Sequence, residues 1–359
     1  MRERFIHIII TLIVLILGIL GTLYFTSNKN TNTVVTNKKV TIKESGSINE
    51  SVEKIYNAVV VVENYNGDVL TATGSGFVYK KDSKYGYIMT NYHVVDGAKA
   101  IKIVTMSNEE VDAEYLGGDS YADLAVIRID AEKVLEVAQI GDSTKAKLGD
   151  TVFTVGTPVN SEYMGSVTKG IISGEDRTIT VNDNSKGNYM MEVLQTDASI
   201  NPGNSGGPLV NINGEVIGIT SMKLVTDEIE GMGFAIPIEV AMASIDKLES
   251  GKEIARPYIG VSLYDINSSA MLFRFDLKID DNIKSGVIVA NIEEGSPAKE
   301  AGLQKNDIIL KVDDKTVKST AHFKFLLYKH DIGDTATLTI NRDGKEKTIE
   351  IKLSKSLGE

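Results

Sequence analysis

Between residues 51 and 236 the chain carries a succession of short apolar runs, at 59–62, 87–90, 101–104, 126–129, 152–155, 178–181, 193–196 and 216–220. Each is four or five residues long, rich in Val, Ile or Thr, with turn formers such as Gly, Asn, Asp and Ser spread closely among them. Runs of that length suit strands and are too short for helices of three turns. The helix-length amphipathic spacers that a parallel α/β sheet needs between its strands are missing. The segment is therefore predicted to be mainly β, an antiparallel sandwich or barrel.

The grain changes after residue 236. Pro237 opens a helix with Ile238, Ala241, Met242, Ile245 and Leu248 on one face, and Gly251 stands where it should end. At 359 residues the chain is too long for one ordinary domain. The first domain is expected over 51–250, the boundary over 251–256, and a second, α+β module over 257–354. In that module 296–302 and 320–328 read as short helices. Asp343-Gly344 reads as a hairpin turn ahead of the alternating Ile349, Ile351 and Leu353.

Residues 5–25 contain no charge and are dominated by Ile, Leu and Val. Twenty-one residues rising about 1.5 Å each span a bilayer core of roughly 30 Å. Arg2 and Arg4 precede the run, so residues 1–4 are expected in the cytoplasm and everything after the span outside. The competing reading is a cleaved signal peptide, whose apolar core is about 7–15 residues long and ends near an Ala-x-Ala-like site. This run is longer and Gly21-Thr22-Leu23-Tyr24-Phe25 offers no such site, so the expectation is a single-pass anchor in the cell membrane. Residues 26–50, rich in Asn, Thr, Lys and Ser, read as a linker.

Three short motifs carry chemistry: Tyr92-His93-Val94-Val95, Ala122-Asp123-Leu124-Ala125 and Gly203-Asn204-Ser205-Gly206-Gly207-Pro208. A serine hydroxyl becomes a good nucleophile when an imidazole takes its proton and a carboxylate orients that imidazole. The chain has four histidines. His7 lies in the apolar run and His322 and His330 in the second module, so His93 is the base available to Ser205. Asp112, Asp119 and Asp150 compete with Asp123. Asp123 is favoured because it leads into the apolar run at 124–127, where a carboxylate is partly desolvated. The glycines beside Ser205 allow the tight turn that aims the N–H groups of Gly203 and Ser205, with Asn204 in the same loop, at a developing oxyanion.

Other chemistries are excluded on residue type. With no cysteine there are no disulfides, thiol nucleophiles or Cys-based zinc sites. There is no His-Glu-x-x-His and no phosphate loop, and Gly74-Ser75-Gly76 lacks the rest of a nucleotide fingerprint and receives no catalytic role. No metal and no cofactor is expected. The net charge is −11, and setting aside the +1 of Arg2, Glu3 and Arg4 leaves −12 outside the membrane, which argues against nucleic acid as a partner.

The motifs at 90–95, 123–126, 196–209 and 233–237, Gly233-Phe234-Ala235-Ile236-Pro237 among them, together resemble the HtrA/Deg family of trypsin-like serine proteases, from about residue 51 to the C-terminus. The resemblance implies a chymotrypsin-like double β-barrel followed by a PDZ domain, a homotrimer, and ATP-independent cleavage of unfolded or misfolded exported proteins. His93 would be the general base, Asp123 its orienter and Ser205 the nucleophile. Substrate would lie along 220–222 (Thr220, Ser221, Met222), with Ser199, Ile200 and 231–234 walling the pocket for the side chain before the scissile bond. Tyr258-Ile259-Gly260-Val261 resembles the PDZ loop that grips the free carboxylate of a peptide C-terminus while the peptide adds as a strand. A PDZ-based chaperone-like binding protein with a latent protease, and a signalling protease dedicated to one membrane substrate, are the alternatives. Every assigned catalytic residue precedes Ser250, so a chain ending there is expected to hydrolyse short peptides.

Overall fold

The structure is a computed structural model that describes residues 2–27, 48–157, 163–182, 186–224, 231–252, 254–268, 273, 279 and 282–357. Residues 1–45 and 46–359 form separate compact units. In the first, helix α1 (Arg2–Ser27) contains a 23-residue stretch, Arg2–Tyr24, long and apolar enough to cross a membrane, the only such helix among the described residues. Two of its hydroxyls are satisfied within the helix: Thr11 donates to the His7 carbonyl at 2.7 Å and Thr22 to the Ile19 carbonyl at 2.9 Å. That is how a polar side chain is tolerated inside an apolar span. Of the expected linker, 28–47 lies outside the described residues, and its last residues instead begin helix α2 (Ile48–Tyr56).

The second unit opens with a closed antiparallel barrel. Its strands are β1 (Val59–Asn66), β2 (Val69–Lys81), β3 (Tyr85–Thr90), β4 (Ala100–Thr105), β5 (Glu110–Asp119) and β6 (Leu124–Asp130), in the order β1-β2-β3-β6-β5-β4. A second ring follows: β7 (Gln139–Ile140), β8 (Thr151–Gly156), β9 (Ser166–Val181), β10 (Tyr189–Thr196), β11 (Pro208–Asn211), β12 (Glu215–Thr220) and β13 (Gly233–Pro237). The order is β11-β8-β9-β10-β13-β12, closed by β11 on β12, with β7 added in parallel to β12. All eight apolar runs named above fall inside these strands.

The runs are unbroken because both faces of many strands are buried. Val60 and Val62, Ile88, and Ala125 and Ile127 fill the first barrel. Their neighbours Val59, Met89, Leu124 and Val126 face a second core shared with Phe153, Val155 and Ile219. A barrel strand sends alternate side chains inward and outward, and here outward leads into another apolar layer.

Helix α4 (Ile238–Glu249) packs Ile238, Ala241, Ile245 and Leu248 into that shared core. Met242, expected on the same face, is 37 % exposed. It falls at the stripe's edge, while the four buried residues alone keep helical register. The helix ends in a Schellman motif, with Gly251 at φ +67°, its N–H bonded to Leu248 O and the Lys252 N–H to Lys247 O.

The last module has a sheet of β15 (Val261–Asp265), β16 (Val287–Ile292), β17 (Ile308–Val312), β19 (Thr335–Arg342) and β20 (Lys345–Lys352), with β18 (Lys315–Thr316) on β17. A short ladder joins β14 (Pro257–Tyr258) to β21 (Lys355–Ser356). Ser296 caps α5 (Pro297–Glu300) by accepting the Lys299 N–H, and helix α6 (Thr320–Leu327) packs Phe323, Leu326 and Leu327 against the sheet core. Asp343 and Gly344, both at positive φ, make the two-residue turn between β19 and β20.

Candidate active site

His93 sits in the one-turn helix α3 (Tyr92–Val95), directly after β3. Asp123 closes the turn between β5 and β6 with φ +54°, a left-handed conformation that aspartate tolerates better than most residues. The turn is set by Asp119, whose carboxylate accepts the N–H groups of Tyr121 at 3.0 Å and Ala122 at 3.1 Å. Asn91 donates to the Asp123 carbonyl at 2.9 Å.

The Asp123 carboxylate is fully buried and spends its oxygens on the histidine. His93 Nδ1 lies 3.0 Å from Oδ1 and 2.9 Å from Oδ2, and the His93 backbone N–H donates to Oδ1 at 3.0 Å. Ser221 Oγ donates to Oδ2 at 2.8 Å. A carboxylate bonded to Nδ1 holds a neutral imidazole with its proton there, which leaves Nε2 as an acceptor.

Ser205 belongs to the second barrel, in a double turn between β10 and β11. Pro202-Gly203 occupies the centre of the first turn, with Gly203 at φ +100° and the Asn204 N–H donating to Asn201 O at 2.9 Å. Gly206 follows at φ +85°, where a Cβ would strike Ser75 O and Thr90 Oγ1. The two halves of the site meet over Gly74: a Cβ there would lie 2.6 Å from the Val94 side chain and 2.9 Å from Ser205 O. Ser205 Oγ accepts the Met222 N–H at 3.1 Å, and among the described residues no hydrogen bond joins it to His93. Such bonds often tighten only when substrate is bound.

Among the described residues the N–H groups of Gly203 and Ser205 take no acceptor. Asn204, expected with them, is a correction. Its N–H is spent on Asn201 and its side-chain amide is buried, donating to Ser199 O at 3.3 Å, with Oδ1 against Gly156. It shapes the turn but presents no donor.

Along the expected substrate strand at 220–222, several backbone groups are already spent. Thr220 has both backbone groups occupied, its N–H on Gly207 O and its carbonyl by the Gly206 N–H, because it pairs inside the second ring. The Ser221 N–H goes to Phe234 O, and Met222–Leu224 curls into a 3₁₀ turn. Ser221 and Met222 instead touch the carboxylate and the nucleophile. Ile200 and Gly233 come together, a Cβ on Gly233 lying 2.6 Å from Ile200 Cγ1, and Ser199 is exposed beside them with its carbonyl held by Thr168.

In the last module, β15 is an edge strand that faces α6 across a groove of about 470 Å³, lined by Ile259, Val261, Leu263, Phe323 and Leu327 among others. Tyr258-Ile259-Gly260-Val261 forms its end, with Gly260 at φ +74°, and hydrogen bonding to Glu293, then burial, push the Tyr258 phenol up to about 12. Lys324 on α6 also lines the groove and donates to Lys186 O at 3.1 Å; burial lowers its pKa. His322 does not line the groove; it accepts the Lys318 N–H through Nδ1 and stacks on Phe325.

The module packs on the β5–β6 turn. Tyr328 meets Tyr121 edge-on at 5.4 Å, and Arg256 pairs with Asp119, which is 3 % exposed. Asp119 also holds the turn carrying Asp123, so a chain ending at Ser250 takes its cation from a carboxylate that is buried in the full chain. We predict that this shortened chain still hydrolyses short peptides but is destabilised by about 3 kcal/mol. Thermal melting beside the full chain, read on the protease unit, checks it.

Two antiparallel barrels with an Asp-His pair on one and a serine turn on the other define a trypsin-type protease, here followed by a PDZ unit. Family models agree: a trypsin-like peptidase domain matches residues 74–219 and a PDZ domain 257–353. The chain is 36 % identical over 358 residues to the serine protease Do-like HtrA of Lactococcus lactis subsp. cremoris, covering 92 % of this chain and 88 % of that one. It is 38 % identical over 330 residues to the Do-like HtrA of Bacillus subtilis, covering 87 % and 73 %. The serine endoprotease of Yersinia pestis superposes with a TM-score of 0.65 at 31 % identity, over 87 % of this chain and 98 % of the other. The protein belongs to the HtrA family of Do-like serine proteases and is a serine endopeptidase.

Proposed function

We propose that this HtrA-type protease is anchored in the cell membrane by α1, its catalytic unit outside, and that it cleaves unfolded or misfolded exported proteins without ATP, working as a homotrimer. His93 takes the proton of Ser205 Oγ as that oxygen attacks the scissile carbonyl. The oxyanion settles against the N–H groups of Gly203 and Ser205, and His93 then passes its proton to the leaving amine. Water repeats the sequence on the acyl-enzyme. The observation that carries this reading is the buried Asp123 carboxylate, bonded to Nδ1 and to the backbone N–H of the same histidine.

The PDZ unit would hold peptides with free C-termini along the open edge of β15, their carboxylate at 258–261. The full chain, given an unfolded protein without nucleotide, should fragment it and spare the same protein when folded. It should also bind a peptide acid ending in an apolar residue far better than the amide. Equal rates on folded and unfolded substrate would remove the quality-control role, and equal binding of acid and amide would remove the carboxylate role of 258–261.

A further inference from the structure

Ser75 takes no part in the catalysis described above, yet its polar groups converge on the nucleophile turn. Its N–H donates to Ser205 O at 2.8 Å. Its hydroxyl donates to Gly203 O at 2.7 Å and accepts the Thr157 N–H at 3.1 Å. Its carbonyl accepts Thr90 Oγ1 at 2.7 Å. The residue is completely buried, so each of these bonds forms in a low-dielectric setting where losing a partner is costly.

The placement gives these bonds a purpose. Ser75 lies on β2 of the first barrel, while the turn at 203–207 belongs to the second. The next residue, Gly76, pairs with Thr90, and the chain runs from there through Asn91 and Tyr92 to His93. A single residue thus ties the strand carrying the histidine to the turn carrying the serine. The two carbonyls it holds, of Gly203 and Ser205, flank the 204–205 peptide whose N–H is one proposed oxyanion donor. The carbonyl of that same peptide, Asn204 O, accepts the Gly207 N–H at 2.9 Å and Thr220 Oγ1 at 2.6 Å, so with both neighbouring planes held as well the N–H keeps its direction.

We infer that Ser75 is a positioning residue for acyl transfer, its hydroxyl aiming the oxyanion donors and its backbone setting Ser205 against His93 across the barrel junction. The inference rests on Ser205 being the nucleophile. Misplacing catalytic groups by about 1 Å costs up to roughly 100-fold, and losing a whole oxyanion donor about 100- to 1,000-fold. Ser75→Ala keeps the backbone bond to Ser205 and loses only the hydroxyl, so kcat on a short peptide should fall about 10- to 100-fold with KM changed less than about twofold.

Affinity for a peptide boronate, which builds a tetrahedral oxyanion, should fall by the same factor as kcat. Affinity for an uncleavable peptide of the same sequence should hold. Ser75→Cys, a weaker donor of nearly the same shape, should fall between wild type and Ser75→Ala, and it carries the same reading if the alanine variant does not fold. Wild-type kcat in these variants, or kcat and ground-state affinity falling together, overturns the assignment. Fluorophosphonate labelling located by mass spectrometry separates the two levels. With the label on Ser205, the kinetics alone decide the role of Ser75; a label elsewhere overturns the nucleophile and Ser75 together.

Discussion

Ser205→Ala is expected to lower kcat on the order of a million-fold, the scale of losing the nucleophile of a serine protease, and to abolish fluorophosphonate labelling. Only the attacking oxygen is removed. The backbone of the turn is held by bonds from Ser75, Asn204 and Thr220 that do not involve Oγ, so the turn should persist. The one structural loss is the acceptor for the Met222 N–H, worth about 1 kcal/mol. Peptide hydrolysis, labelling and a thermal melt on the same preparation check the three parts. Turnover near wild type in protein free of other proteases would refute the nucleophile.

Asp123→Asn should cost about 10⁴-fold in kcat with the fold intact. Asparagine tolerates φ +54° at least as well as aspartate, so the β5–β6 turn should survive. The electrostatics are what fail. Three donors converge on the carboxylate: the His93 backbone N–H, His93 Nδ1 and Ser221 Oγ. A carboxamide offers one oxygen and a donating NH₂ in that space. When the NH₂ meets Nδ1, the imidazole must carry its proton on Nε2, the nitrogen that has to accept from Ser205. A loss under tenfold in kcat, with the melting temperature unchanged, would show that His93 is not oriented through Asp123.

Much of the fold was legible because its signals are local. Short runs of β-branched residues specify strands whatever surrounds them, and all eight runs lie in the two barrels. Ser296-Pro297 and Asp343-Gly344 announce a helix start and a hairpin through backbone preferences that need no partner. Helix α2 was missed although Ile48, Val52, Ile55 and Tyr56 follow helical spacing, because its nine residues straddle the end of the expected linker and the start of a segment read as strands. Strand β2, 13 residues long, begins with exposed or half-exposed residues and was not singled out, and of the 16 residues of β9 only the last four, 178–181, were.

The candidate site divides in the same way. His93, Asp123 and Ser205 could be singled out because a base, a carboxylate and a nucleophile must be particular side chains, and three motifs supply them. The open edge at 220–222 was an expectation that assumed an unpaired strand. Whether a strand end is paired, as at Thr220, or curled, as at 222–224, depends on neighbours far along the chain. Asn204 was grouped with the oxyanion donors by adjacency, but a turn alternates the directions of its N–H groups, and its own points to Asn201.

By itself, then, the sequence determined eight of the thirteen strands of the two barrels, where an apolar span could sit, and which three side chains have the chemistry for acyl transfer. The tertiary structure decided what those residues lean on. Ser75 and Ser205 are 130 positions apart, as the numbering shows, and Arg256, in the expected domain boundary, is 137 positions from Asp119. Their bonds exist only because closed barrels bring distant backbone together and bury it where every polar group must find a partner.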